Sequence, residues 1–165
     1  MKFGVVVFPG SNCDRDMFDA LSVELGQEVQ WLWHKDHALD GFTTDDCIVL
    51  PGGFSYGDYL RCGAIAAHSP ILREVKARAE KGMAVIGICN GFQVLTEMGL
   101  LPGVLMRNAG LKFVCKSVAL TVKTRDSAFT SGWSAGETAR FPIAHHDGNF
   151  TADAATLERL AAEGA

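Results

Sequence analysis

The chain has 165 residues, 48% apolar and 21% charged, and its 15 basic and 19 acidic side chains give a net charge of −4. That is one domain's worth of chain with ample core material, and the negative balance without a Lys/Arg run excludes a nucleic-acid backbone as partner. No apolar stretch approaches the roughly 18–20 residues that cross a bilayer, and the opening run is shorter than the roughly 7–15 residues of a signal core, so a cytoplasmic chain is expected.

In chain order, Val5-Val6-Val7-Phe8 is a continuous apolar run ended by Pro9-Gly10, the pattern of a strand buried on both faces. Ser11 and Asn12 are placed to cap a helix on which Met17, Leu21 and Leu25 share a face, with Gly26 as its stop. Val29–Trp33 and Ile48–Leu50 form the next strands, the latter cut off by Pro51-Gly52-Gly53. Trp31 and Trp33 occupy alternate positions, which is expected to make one of them core. Ile71, Leu72, Val75 and Ala79 line one helical face, with Glu74 and Arg78 paired at i, i+4. Ala84–Ile88 is a fourth buried strand, and Phe92, Leu95 and Met98 mark a helix closed by Gly99.

Strand–helix alternation predicts a parallel sheet covered on both faces, with ligands at the carboxyl ends of the strands. After Gly103, Lys112–Lys123 and Thr138–Ala144 are expected as strands around the turn-rich Thr130–Gly136, and Ala154–Leu160 as a short helix. No repeat or linker interrupts the sequence, so a single domain over 1–165 is expected. The five cysteines, Cys13, Cys47, Cys62, Cys89 and Cys115, contain no C-x-x-C. They fit a reducing compartment, and most are expected to be small buried hydrophobes.

The strongest chemical signal is Gly87-Ile88-Cys89-Asn90-Gly91, a nucleophile elbow in thiol form. A side chain perched on so sharp a strand-to-helix turn leaves no room for Cβ atoms two residues either side. The helix N-terminus favours a thiolate at Cys89 and leaves the Asn90 N–H free for a developing oxyanion. The competing reading is a buried structural cysteine between two packing glycines. The second signal, Pro51-Gly52-Gly53-Phe54-Ser55-Tyr56-Gly57-Asp58-Tyr59, brings backbone N–H groups to the same sheet edge. By itself it is equally an ordinary Gly-rich turn.

Together these segments, P-G-G-F-S-Y-G-D-Y-L-R-C-G-A-I-A and G-I-C-N-G-F-Q-V-L, resemble the class I glutamine amidotransferases. More narrowly, they resemble the family of glutaminase subunits of phosphoribosylformylglycinamidine synthases, which serve de novo purine synthesis. The opening F-P-G-S-N-C-D-R-D, Leu101-Pro102-Gly103, Arg107-Asn108, Leu111-Lys112-Phe113 and Phe141-Pro142-Ile143-Ala144-His145 extend the resemblance from Met1 to about Phe150. It implies an α/β, doubly wound, mostly parallel, flavodoxin-like sheet with helices on both faces. It implies glutamine hydrolysis through a γ-glutamyl thioester on Cys89, with the oxyanion held by backbone N–H groups of Gly53 and Asn90. Gly52, Ser55, Gln93 and His145 match positions that hold L-glutamine. No cofactor is implied in this subunit. ATP and magnesium belong to a partner synthetase subunit that receives the ammonia and aminates formylglycinamide ribonucleotide, and a small third protein helps assemble some members.

The family draws its base and orienting carboxylate from a C-terminal His-Pro-Glu motif, and the sequence contains none; the domain is therefore expected to be C-terminally incomplete. His145-His146-Asp147 has a His-x-carboxylate spacing downstream of Cys89, but family members carry a comparable segment beside the motif, which makes it pocket lining. Adjacent strand residues point to opposite faces, so His145 and His146 do not share a metal. His34 and His37, near Asp36 and Asp40, are expected as solvated loop residues, and Asp14, Arg15 and Asp16 as a helix start or a synthetase contact. Three roles remain open: a cysteine glutaminase, a non-catalytic module that binds glutamine or the synthetase, and an inactive fragment.

Overall fold

Short β-branched runs set the sheet. In the computed structural model, which describes residues 1–164, β1 (Lys2–Val7), β2 (Glu28–Trp33), β3 (Cys47–Leu50) and β4 (Ala84–Gly87) pair in the order β2-β1-β3-β4. All three pairings are parallel, with Val5 opposite Trp31 and Val49, and Leu50 opposite Gly87. Alternation along β1 and β3 sends Val6 and Ile48 to one face and Val5 and Val49 to the other, all of them 0% exposed. Each such side chain contributes roughly 1.5–3 kcal/mol by leaving water.

Two helices cover the first face. Ile71, Leu72 and Val75 of α2 (Pro70–Ala79) and Val94 and Leu95 of α3 (Asn90–Glu97) share a core with Val6, Ile48 and Leu50. The second face is covered by α1 (Asp14–Asp19) and the π turn Ala20–Glu24, through Met17, Phe18 and Leu21. Helices on both faces make the sheet doubly wound, and the chain reverses direction across it between β1 and β3, the switch point of such folds.

The described residues cluster into two compact units, one spanning Met1–Leu101 and a second starting at Pro102. The second unit holds two antiparallel pairs, β5 (Val104–Met106) with β8 (Asn149–Thr151) and β6 (Val114–Thr121) with β7 (Thr138–His145), followed by α4 (Ala154–Glu163). Asp153 caps α4 by accepting the Thr156 N–H at 2.8 Å, and Gly164 ends it in the left-handed region, φ 70°.

Several expectations are corrected. Ser11 and Asn12 do not cap α1: its N-cap is Cys13, without a side-chain bond, and the Ser11 hydroxyl donates to the Gly52 carbonyl instead. Leu25 leaves the helical face and is exposed, because the π turn adds a residue per turn and rotates it away. Neither Trp31 nor Trp33 is core. They lie two apart, so they share one face of edge strand β2, while Leu32 between them is buried. Trp31 stacks on Phe18, with centroids 4.3 Å apart. Strand β4 is half-buried, since it borders the four-stranded sheet. Of the cysteines only Cys47 is buried, and burial pushes its thiol up to about 11. His34 is buried rather than solvated, because it closes β2 against Tyr56.

Candidate active site

Three loops meet where β1, β3 and β4 end. Residue Cys89 follows β4 and caps α3, with φ 53° and ψ −107°, a conformation that non-glycine residues rarely adopt. The turn holds because Gly91 N–H donates to Ile88 O at 2.9 Å, and Phe92 and Gln93 N–H to Cys89 O at 3.0 and 3.2 Å. The thiol stands exposed at the top of the turn. The two flanking glycines are sterically required. A Cβ on Gly87 would meet the Gly91 carbonyl oxygen at 2.5 Å, and one on Gly91 would overlap the Leu50 carbonyl.

The β3 loop comes down beside it. A Cβ on Gly52 would sit 3.4 Å from Cys89 Cβ and 3.6 Å from Cys13 Cβ, so this residue packs beside both cysteines. The Gly53 backbone has φ +117°, and any Cβ there would meet Asn12 Oδ1 at 2.5 Å and Asn12 N at 2.6 Å. Only glycine lets the β1 and β3 loops approach so closely. Burial, then the Asp16 carboxylate, then Cys89 push the Cys13 thiol up. Both cysteines cap helices, but Cys13 is only partly exposed whereas Cys89 stands exposed on its strained turn.

The Asn90 N–H opens α3, where the first amides of a helix have no intrahelical acceptor. Gln93 and Ser55 are buried, at 8% and 2% exposure. Gln93 Oε1 accepts from Asn90 Nδ2 at 2.9 Å, and Ser55 N–H donates to Asn90 Oδ1 at 3.2 Å. The structure thus brings Gly52, Gly53, Ser55, Cys89, Asn90 and Gln93 together in one unit. His145 belongs to the second unit, where its Nδ1 lies 3.0 Å from Asn108 Oδ1 and where Arg107 approaches Asp147 at 3.7 Å. Among the described residues no group of three or more His, Cys, Asp or Glu is placed to hold a metal ion.

Sequence reasoning missed Asp58 and the Asn90 side chain. Asn90 Nδ2 donates to Asp58 Oδ1 at 3.2 Å across 32 positions, a pairing no local pattern announces. The one available signal was Gly57 between Tyr56 and Asp58, a tight turn directly after the glycines of the β3 loop.

Known proteins resemble this chain in sequence and in fold. The model of the CobB/CobQ-like glutamine amidotransferase domain matches residues 1–165. A phosphoribosylformylglycinamidine synthase subunit PurQ of Cereibacter sphaeroides is 63% identical over 163 residues, covering 99% of this chain and 72% of the relative. The subunit of the same description from Alkaliphilus metalliredigens is 54% identical over 164 residues, covering 99% of this chain and 71% of that one. A solved structure of PurLQS from Thermotoga maritima superposes with a TM-score of 0.84 at 48% identity, over 92% of this chain and 69% of the other. A glutamine amidotransferase structure from the same organism, 16% identical with a TM-score of 0.55 over 92% of this chain and 63% of its own, shares the fold. By sequence and by fold, the chain belongs to the CobB/CobQ-like glutamine amidotransferase family.

Proposed function

We propose that this chain is a glutaminase subunit of phosphoribosylformylglycinamidine synthase, with Cys89 as nucleophile. The observation that carries the reading is the strained elbow at Cys89, set against the Gly52-Gly53 loop on one side and the N-terminus of α3 on the other. The Cys89 thiolate attacks the side-chain amide carbon of glutamine. The carbonyl oxygen becomes an oxyanion held by the backbone N–H groups of Gly53 and Asn90. The nitrogen takes up a proton as collapse of that intermediate breaks the C–N bond, so ammonia leaves and a γ-glutamyl thioester remains, which water hydrolyses to glutamate and the free thiol.

Around this centre, Gly52, Ser55 and Gln93 shape the glutamine site, and His145 is carried as a substrate contact on the family resemblance. Ammonia passes to a synthetase subunit that holds ATP and magnesium and converts formylglycinamide ribonucleotide to formylglycinamidine ribonucleotide. A small third subunit assists assembly. Among the described residues no helix is long and apolar enough to cross a membrane, which is consistent with a cytoplasmic site of action. Relatives at 63% and 54% identity support the catalytic reading over a non-catalytic module.

The test is glutamine-dependent ammonia release by the protein assembled with its synthetase, before and after Cys89→Ser. Loss of release, and of the acid-stable label left by carbon-labelled glutamine, is the expected result. Unchanged release in the variant overturns the assignment.

A further inference from the structure

Asn90 enters the reaction above only through its backbone N–H, yet the residue is 1% exposed and three of the four hydrogen-bonding positions of its side-chain amide are engaged. Oδ1 accepts the Ser55 N–H at 3.2 Å, and Nδ2 donates to Asp58 Oδ1 at 3.2 Å and to Gln93 Oε1 at 2.9 Å. The amide's orientation is fixed by its partners, because a backbone N–H only donates and a carboxylate oxygen accepts. The segment bracketed by Ser55 and Asp58 is strained: Tyr56 has φ 53°, Gly57 69° and Asp58 55°. Such conformers persist only where their surroundings hold them. Gly53 lies two residues before Ser55, so the bond that fixes Ser55 also limits how the Gly53 peptide can turn.

We infer that the Asn90 side chain is a positioning residue that clamps the Gly53–Asp58 loop to the elbow and so sets the direction of the Gly53 N–H. One residue then supplies one oxyanion donor directly and orients the other through its side chain. Asp58 is the clamp's anchor. The inference rests on the glutaminase reading. An oxyanion donor acts in the transition state, so loosening the clamp acts mainly on kcat, while any rise in KM reports the Asn90–Gln93 bond that the same substitution removes.

The test uses the protein assembled with its synthetase. Asn90→Asp sets an oxygen against Asp58, and glutaminase kcat is expected to fall by roughly 10²–10³-fold, the range for a lost oxyanion donor. Adding Asp58→Asn reverses donor and acceptor and re-forms the pair, and is expected to recover at least about tenfold of the loss. Alkylation of Cys89 by iodoacetamide needs no oxyanion donor, so at alkaline pH, where the thiol is ionised despite the carboxylate that Asn90→Asp sets beside it, its rate is expected to match wild type in both variants. A wild-type kcat in Asn90→Asp, a loss that Asp58→Asn does not repair, or a loss with slowed alkylation overturns the clamp. Failure of the underlying reading looks different: ammonia release would then survive Cys89→Ser.

Discussion

The Tyr56 hydroxyl lies 2.7 Å from Nδ1 of His34, joining the strained loop after β3 to the end of β2. Both ends of this bond are anchored. Tyr56 N–H donates to Pro9 O at 2.6 Å, while His34 donates from its N–H to Val7 O at 3.1 Å and accepts the Ile71 N–H at 3.3 Å. The two rings meet edge to face, with centroids 5.7 Å apart. The loop is therefore held from two sides, by Tyr56 on His34 and by Asn90 on Ser55 and Asp58.

Burial, with Lys35 adding to it and Asp36 opposing, holds His34 below the ordinary imidazole value of about 6.5. The unfolded chain thus takes up this proton first as pH falls. The neutral, buried ring gives its full stability above about pH 6.5, and that share is lost as pH drops through the folded value. Thermal melts between pH 7.5 and 5 are expected to show Tm falling on the acid side. His34→Gln, which cannot titrate, is expected to flatten the slope, and an unchanged slope would remove His34 as its source.

Much of this arrangement was legible in the sequence where the signal is local. Val5–Phe8 and Ile48–Leu50 announce buried strands because a strand covered on both faces has no polar positions. Gly87 and Gly91 announce the elbow because no other residue fits against the Gly91 and Leu50 carbonyls. What stayed hidden depends on partners distant in sequence. The Ser11 hydroxyl, which looks like a helix cap, instead bonds Gly52 41 positions away, and His34 is buried only because Tyr56 arrives 22 positions later. Strands β5 and β8 have three residues each and pair Leu105 with Phe150, too short to carry a period.

Arg61 makes two bonds to Glu97 at the end of α3, Nε to Oε1 and Nη2 to Oε2, each 2.6 Å. Glu97 is only 10% exposed but Arg61 is 48% exposed, so solvent screens the pair and Arg61→Ala is expected to cost about 0.5–1 kcal/mol. The deficit should shrink at high salt. A salt-independent loss measured in urea melts would assign Arg61's contribution to packing of its stem instead.

Gly91→Ala drives a Cβ into the Leu50 carbonyl, which belongs to the sheet itself. Backbone cannot swing aside as a side chain can, so the elbow or β3 must shift. Destabilisation at or above the 1–3 kcal/mol typical of overpacking is expected, with loss of Cys89 alkylation by iodoacetamide. Gly110, where an added Cβ meets nothing within 4 Å, serves as the comparison: Gly110→Ala should leave Tm nearly unchanged. Equal Tm values for the two variants would contradict the close packing of the elbow.

Cys89 pays for its exposed position with backbone strain. At φ 53° and ψ −107° a non-glycine residue costs about 1–3 kcal/mol, which glycine escapes while losing roughly 0.5–1 kcal/mol of unfolded-chain entropy. Cys89→Gly is therefore expected to raise the free energy of unfolding by up to about 2 kcal/mol while abolishing ammonia release, a trade common where a site is held in strain. Cys89→Ala keeps the Cβ and should abolish activity without the gain. Chemical denaturation of the two variants beside wild type decides the point: matching stabilities for Gly and Ala would mean the elbow stores no strain at Cys89.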